Sequence, residues 1–204
     1  MVETTRATRA REARETRRRQ LLEVALEVFS AKGYYEASIT DVVSAAGVAR
    51  GTFYQYFDSK EAIFHELLDD LVLGLQQSVV GVDMSPGALP VREQLVGTVV
   101  RILDAVDQNR RFVHIVLRVA VGLDDAVDQK LDHFFGDLHR LLHESLDRGQ
   151  ALGLIRACDT ELAAHCVLGS FRAVVEHYLG GDAPADTRGL AEGLVSFSFR
   201  GLLA

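Results

Sequence analysis

Proline and strand-like alternation are both nearly missing from this chain, and that combination leaves helices as the only regular structure it can build. Prolines occur at Pro86, Pro90 and Pro184 alone, and no stretch shows the sustained period-two pattern of a half-buried strand. Apolar residues recur instead at helical spacing. Leu22, Ala25, Leu26 and Phe29 share one stripe, and Gly33 follows as a left-handed stop. Ser38 and Asp41 form a capping-box pattern before a second helix, whose inward face is Ile39, Val42, Val43 and Ala46 and which Gly47 ends. A third, short helix is predicted over 50–56. Asp58 with Glu61 reads as another capping box, opening a long helix through Ile63, Phe64, Leu67, Leu68, Leu71 and Leu75. The stretch GVDMSPGALP, residues 81–90, is the clearest break. Beyond it, helices are predicted over 90–107, 110–121, 124–149, 160–179 and 186–203.

At 204 residues and 48% hydrophobic, the chain can bury a sizeable core. No run reaches the ~18–20 apolar residues of a membrane helix, and the arginine-bearing start lacks the apolar segment of a secretory signal. Cys158 and Cys166 are too few for a disulfide framework or a cysteine-rich zinc site, which fits a reducing, cytoplasmic setting and packed thiols. The net charge of −7 hides a division. Residues 1–60 hold ten Lys/Arg against eight Asp/Glu, whereas residues 61–204 hold twelve against twenty-one. The first twenty residues alone carry seven arginines and three glutamates. Such a basic end on an acidic body suits one end that meets a polyanion, although a solvated tail without a partner has the same charge.

Two short helices joined by a glycine turn and packed on a longer preceding helix make a helix-turn-helix. One face of the second helix is buried there, and the other is offered to the major groove. Phe53 and Phe57, four apart, are the expected inward pair. Arg50 with Tyr54, and Gly51 with Gln55, then point outward, and Gly51 lets the backbone approach DNA closely. Tyr56 and Lys60 stand where the next helix begins, a place suited to holding a phosphate.

The segment SITDVVSAAGVARGTFYQYFDSKEAIF resembles the N-terminal signature of the tetracycline-repressor (TetR) family in its glycine turn, its G-T-aromatic-Y run and its F-x-S-K-E ending. The likeness extends from Arg17 to Leu68. It implies DNA-facing positions at Ser38, Thr40, Arg50, Gly51, Thr52, Tyr54, Gln55, Tyr56 and Lys60. One departure is Ala49, where the family often has serine or threonine; the missing side-chain cap costs about 1 kcal/mol. The fold implied is all-α, with about nine helices: a DNA-binding three-helix helix-turn-helix domain over 1–60 with its basic arm, then a ligand-sensing and dimerisation domain over 61–204. The function implied is that of a ligand-responsive regulator, a repressor that binds a palindromic double-stranded DNA operator as a homodimer and answers to a small-molecule effector. Ligand binding in such a protein moves the long fourth helix and changes the separation of two recognition helices.

The C-terminal region adds readings of its own. On residues 162–179 the polar strip is narrow, His165, Arg172 and Glu176, and apolar or small residues fill more than half the circumference. A monomeric surface helix needs an apolar stripe only slightly wider than ~100°, so this helix is expected to have a second partner across a two-fold axis. Residues 189–203 repeat the pattern around Glu192, Ser196 and Arg200. The expected dimer residues are Cys166, Val167, Ser170, Val174, Leu194 and Phe197; a central helix of a larger monomer is the competing reading. Phe112, His114, Leu117, Arg118, Phe134 and Phe135 combine apolar walls with a few polar groups, as a ligand pocket does, and as a core with a satisfied histidine also does. His139 and His143, with Asp137 and Glu144 nearby, have the spacing for a metal, but no third ligand follows at a recognisable distance, and an exposed charged face fits them too. No metal and no cofactor is therefore expected. With no nucleophile elbow, phosphate loop or dinucleotide glycines, the chain is not expected to be an enzyme. An enzyme using the C-terminal pocket and a protein–protein adaptor are the alternative classes.

Overall fold

The computed structural model describes residues 2–119, 123–179 and 186–202, and among them it contains nine α-helices and no strand. They are α1 (Val2–Lys32), α2 (Ile39–Ala46), α3 (Arg50–Phe53), α4 (Lys60–Ser78), α5 (Val91–Gln108), α6 (Arg110–Val119), α7 (Asp125–Ala151), α8 (Thr160–Val174) and α9 (Thr187–Leu202). A single π-helical turn, Val175–Leu179, prolongs α8. None of the described helices is long and apolar enough to cross a membrane.

The packing divides the chain into two compact units, and the division falls between Asp70 and Leu71, inside α4. It lies ten residues later than the 60/61 boundary that the resemblance implies, because Ile63, Phe64 and Leu68 of α4 are fully buried in the first unit's core.

That core is assembled from short elements punctuated as the sequence requires. Leu21, Leu22, Ala25 and Phe29 supply the buried stripe of α1, and Gly33, at φ 85°, ends the helix in a conformation glycine adopts without strain. Tyr34 then turns inward, 2% exposed, its ring edge-on to Phe29 at 5.2 Å and to Phe64 at 5.0 Å. The capping box of α2 forms: Ser38 Oγ accepts from the Asp41 amide at 3.2 Å, and Asp41 Oδ2 accepts from the Ser38 amide at 3.0 Å. Gly47, at φ 63°, closes α2 and passes the chain to α3.

Two local expectations need correction. The third helix is a single turn, Arg50–Phe53, not 50–56; Tyr54–Tyr56 turn away with the Tyr56 amide donating to Phe53 O at 2.9 Å. Without a side-chain cap at Ala49, and with glycine, a β-branched residue and aromatics in succession, this segment has little helix propensity of its own. The cap of α4 is Ser59, not Asp58. The Ala62 amide donates to Ser59 Oγ at 3.1 Å, so the true start lies one residue later than the Asp58/Glu61 pattern implies.

In the second unit α5 packs on α9, α7 on α8, and α6 on α5 and on the π turn. Val96, Leu103, Phe112, Val127, Leu146, Ala164, Ala191 and Val195 are among its buried residues. The Gln94 side chain spans the 81–90 break. Gln94 donates to Asp83 O at 2.8 Å and Leu89 O at 2.6 Å, and accepts from the Asp83 amide at 2.7 Å.

Candidate nucleic-acid interface

The face opposite the first core is built by α2, α3 and the turn after it. Phe53 is fully buried and Phe57 is 2% exposed, so both take the inward places expected of them. Their burial rotates Arg50, Gly51, Tyr54 and Gln55 to the surface, where all four are exposed. Arg50 lies beside Tyr54, with Nη2 donating to the phenol oxygen at 3.4 Å and the guanidinium 5.8 Å from the ring centre. A side chain added at Gly51 would meet nothing within 4 Å, so packing does not demand glycine there. Thr40 and Ser38 are exposed at the start of α2, although the Ser38 hydroxyl is engaged in the cap; Thr52 is half-buried.

Behind this face, α1 holds the turn by its carbonyls. Arg14 donates to Gln55 O at 3.3 Å, and its guanidinium lies 5.9 Å from the Tyr56 ring centre. Arg18 donates to Tyr56 O at 3.1 Å, stacks over Phe57 at 4.7 Å and forms a two-pronged ion pair with Glu66, one prong at 2.7 Å. The hydrogen bonds to Glu66 raise the Arg18 pKa above its ordinary value, against the desolvation that lowers it. Across the α1–α2 loop, Lys32 pairs with Asp41 at 2.5 Å. That bond, with those from Ser38, holds the Asp41 carboxyl down at about 2.

Lys60 sits differently from its expected phosphate-facing place. Half-buried, its ammonium donates to Tyr34 O at 2.8 Å and Ala37 O at 3.0 Å, with Tyr35 O at 3.4 Å, and it lies 4.5 Å from the Tyr34 ring centre. Its three N–H donors are thereby matched to three carbonyls. Tyr34 and the Arg18–Glu66 pair were missed by sequence reasoning. Neither has a periodic signal, since partners 48 residues apart meet only once the fold exists.

In the second unit the expected pocket residues fall on elements with different partners. Phe112 is 2% exposed on α6, with His114 and Leu117 half-buried beside it. Phe134 is buried on α7, and Phe135, 43% exposed, stands edge-on to it at 5.3 Å. The Arg118 side chain lies outside the described residues. Of the expected dimer residues, Cys166 and Phe197 are exposed, Phe197 by 72%, while Val167, Ser170, Val174 and Leu194 are half-buried. Leu162, Cys166, Val167, Ser170, Gly193 and Phe197 are among the residues lining an open groove of about 760 Å³ along α8 and α9. His139 is not on an open face: it packs against His165 of α8, ring centres 4.0 Å apart, and its Nε2 is buried. Among the described residues no group of three His, Cys, Asp or Glu side chains is arranged to hold a metal.

A two-helix unit with an inward aromatic pair and an outward Arg–Tyr pair defines a helix-turn-helix DNA-binding protein. Comparison with known proteins agrees. The family described as bacterial regulatory proteins, tetR family, matches residues 21–67. The transcriptional regulator TtgW of Pseudomonas putida is 32% identical over 64% of this chain and 87% of its own. YdgC of Bacillus subtilis (strain 168), also an HTH-type transcriptional regulator, is 29% identical over 79% of this chain and 80% of its own. The crystal structure of the TetR family transcriptional regulator PfmR from Thermus thermophilus shares the fold, with a TM-score of 0.72, 24% identity and coverage of 88% of this chain and 97% of that one. The chain belongs to the TetR family and is a DNA-binding transcriptional regulator.

Proposed function

We propose that this regulator is a ligand-responsive repressor that binds a palindromic operator as a homodimer, with Arg50, Gly51, Thr52, Tyr54 and Gln55 entering the major groove. The observation that carries the reading is the opposition between buried Phe53 and Phe57 and exposed Arg50 and Tyr54 on a segment otherwise too short to be stable. Arg50 has the donors to read a guanine edge, and bare Gly51 allows close approach. Ser38, Thr40 and Tyr56 flank the groove as backbone contacts. Lys60 contributes indirectly, by fixing the loop that carries the start of α2.

Dimerisation is supported by the groove on α8 and α9, where Leu162 (60% exposed) and Phe197 (72%) leave large apolar surface open to solvent. A two-fold copy would cover it, and two recognition segments about 34 Å apart would meet successive major grooves. The half-buried His114 and Leu117 beside buried Phe112 support an apolar effector with one hydrogen-bonding group. Its binding would be relayed through α4, which belongs to both units. Repression is the sign carried by the name of a relative, the repressor DhaR of Mycobacterium sp. (strain GP1), 27% identical over 68% of this chain and 70% of its own. The chemistry is binding and release, with no catalytic turnover of the effector.

Selection of genomic fragments by the purified protein tests this reading. The expected result is a two-fold symmetric site upstream of a coding region. An asymmetric single half-site would contradict the dimeric operator, and recovery of random fragments would contradict specific recognition.

A further inference from the structure

Arg9, Arg11, Arg14, Arg17 and Arg19 of α1 are exposed, whereas Arg18 is half-buried, and its guanidinium is held from three directions. Along one edge Nε donates to Glu66 Oε1 at 2.7 Å and Nη2 donates to Glu66 Oε2. From the other edge Nη1 donates to Tyr56 O at 3.1 Å. The flat face lies over the Phe57 ring, 4.7 Å from its centre. A planar fork fixed at two edges and one face has a single orientation. The carbonyl it holds belongs to a segment with little support of its own. The third helix is one turn long and lacks a side-chain cap at Ala49. The Tyr56 and Phe57 amides both donate to Phe53 O, at 2.9 and 3.1 Å. The Gln55 and Tyr56 carbonyls lie beyond, like the last carbonyls of any helix, and need donors from outside it. Arg14 and Arg18 are those donors.

We infer that Arg18 is a positioning residue for base recognition: it touches no DNA, yet it sets the angle at which Tyr54 and Gln55 meet the groove. Glu66 of α4 fixes Arg18 in turn. The inference rests on the DNA-binding reading above. Two observations carry it. The first is that Arg18 is not placed to meet a phosphate. Its charge is matched by the Glu66 carboxylate, and it lies on the side of buried Phe57, away from exposed Arg50 and Tyr54. The second is leverage. Phe53 and Phe57 anchor the ends of the turn, but a peptide plane between them can tilt without unburying either ring. The bond to Tyr56 O fixes the plane that joins Tyr56 to Phe57, and Tyr54 and Gln55 directly precede it. Hydrogen bonds to base edges weaken steeply with angle, whereas phosphate contacts carry no sequence information. A loosened turn therefore loses discrimination between sequences before it loses affinity for DNA in general.

The test is fluorescence anisotropy of the full chain on a selected operator fragment and on a mixed-sequence duplex, each across a range of salt. Circular dichroism checks that each variant is folded at the assay temperature. Arg18→Lys keeps the charge and an apolar stem over Phe57, but a single ammonium cannot reproduce the fork that holds Glu66 and the Tyr56 carbonyl together. It should bind the operator roughly ten-fold more weakly, the equivalent of one charge-assisted hydrogen bond. Its mixed-sequence affinity and its slope of log affinity on log salt should stay at the wild-type values. Glu66→Gln leaves Arg18 in place and loosens one edge of its grip, so the ratio of operator to mixed-sequence affinity should fall by a smaller factor. An equal loss on both duplexes with a shallower slope would make Arg18 a phosphate contact and overturn the assignment. An unchanged ratio in Arg18→Lys overturns it too, in both cases leaving the helix-turn-helix reading intact. If Arg18→Lys does not fold, Glu66→Gln decides, and a wild-type ratio there overturns the assignment. Wild-type protein that binds neither duplex overturns the DNA-binding reading as well.

Discussion

The two units use charge in opposite ways. In the first, cationic side chains reach far along the chain and end on backbone carbonyls: Arg14 on Gln55, Arg18 on Tyr56, Lys60 on Tyr34 and Ala37, across separations of 23 to 41 residues. In the second, ion pairs such as Arg140–Asp137, Arg172–Glu176 and Arg188–Glu192 run along a single helix, three or four residues apart, although Arg101 also reaches the Ser78 carbonyl across 23 residues. Exposed pairs of that kind contribute about 0.3–0.5 kcal/mol each and fix no tertiary geometry. A unit that must present a one-turn recognition segment in one orientation needs its loops pinned from behind. A unit built on apolar helix contacts can alter its exposed faces at little cost in stability.

The contrast predicts unequal damage from similar substitutions. Phe64→Ala removes a fully buried ring that Tyr34 packs against, and should cost about 3–5 kcal/mol, enough to abolish most DNA binding through loss of the N-terminal unit. Phe135→Ala, on a side chain 43% exposed, should cost less than about 1 kcal/mol. Thermal denaturation of both variants measures the difference, and comparable losses would break the comparison.

The same asymmetry governs what the sequence made legible. Helix number and order, the Ser38–Asp41 box, the Gly33 and Gly47 stops and the Phe53/Phe57 pair were all readable, because each is a local rule with a fixed spacing. The start of a helix marks Lys60 as a phosphate holder, yet three carbonyls 23 to 26 residues earlier claim its ammonium. The length of α3 was misjudged because burial of Phe57 is achieved by a turn as readily as by a continued helix. In the second unit His139 and His143 gave a spacing, but only the packing of α7 on α8 brings His165 against His139.

The exposed apolar face offers a second way to sharpen the contrast. Leu162→Asp combined with Phe197→Arg alters only side chains that are 60% and 72% exposed. Sedimentation should show a shift from dimer to monomer at micromolar concentration, with helicity unchanged. Wild-type protein that sediments as a monomer would contradict the two-fold assembly.

The smallest expected effect is an acid one, confined to the first unit. Asp41 titrates at about 2 because Lys32 and Ser38 bond its charged form. A carboxyl whose folded value is depressed adds stability above its unfolded value of ~3.9 and loses it as pH falls toward the folded value. The contribution should therefore fade between about pH 4 and pH 2. In Lys32→Ala the Asp41 carboxyl, followed by NMR, should titrate closer to its ordinary value. An unmoved titration would show that Ser38 alone holds it.

The proposed division of labour within one short stretch gives Arg50 the reading of DNA and Lys60 the holding of the fold. Operator affinity and thermal midpoint, measured together on Arg50→Ala and Lys60→Ala, test it most directly. Arg50→Ala should keep the wild-type midpoint and lose about 1–3 kcal/mol of operator discrimination. Lys60→Ala should lower the midpoint by the loss of its charge-assisted bonds, about 1–3 kcal/mol, and weaken DNA binding only as far as the loop loosens. The reverse pattern, a stable Lys60→Ala with a shallower salt slope and an Arg50→Ala that binds like wild type, would contradict the account.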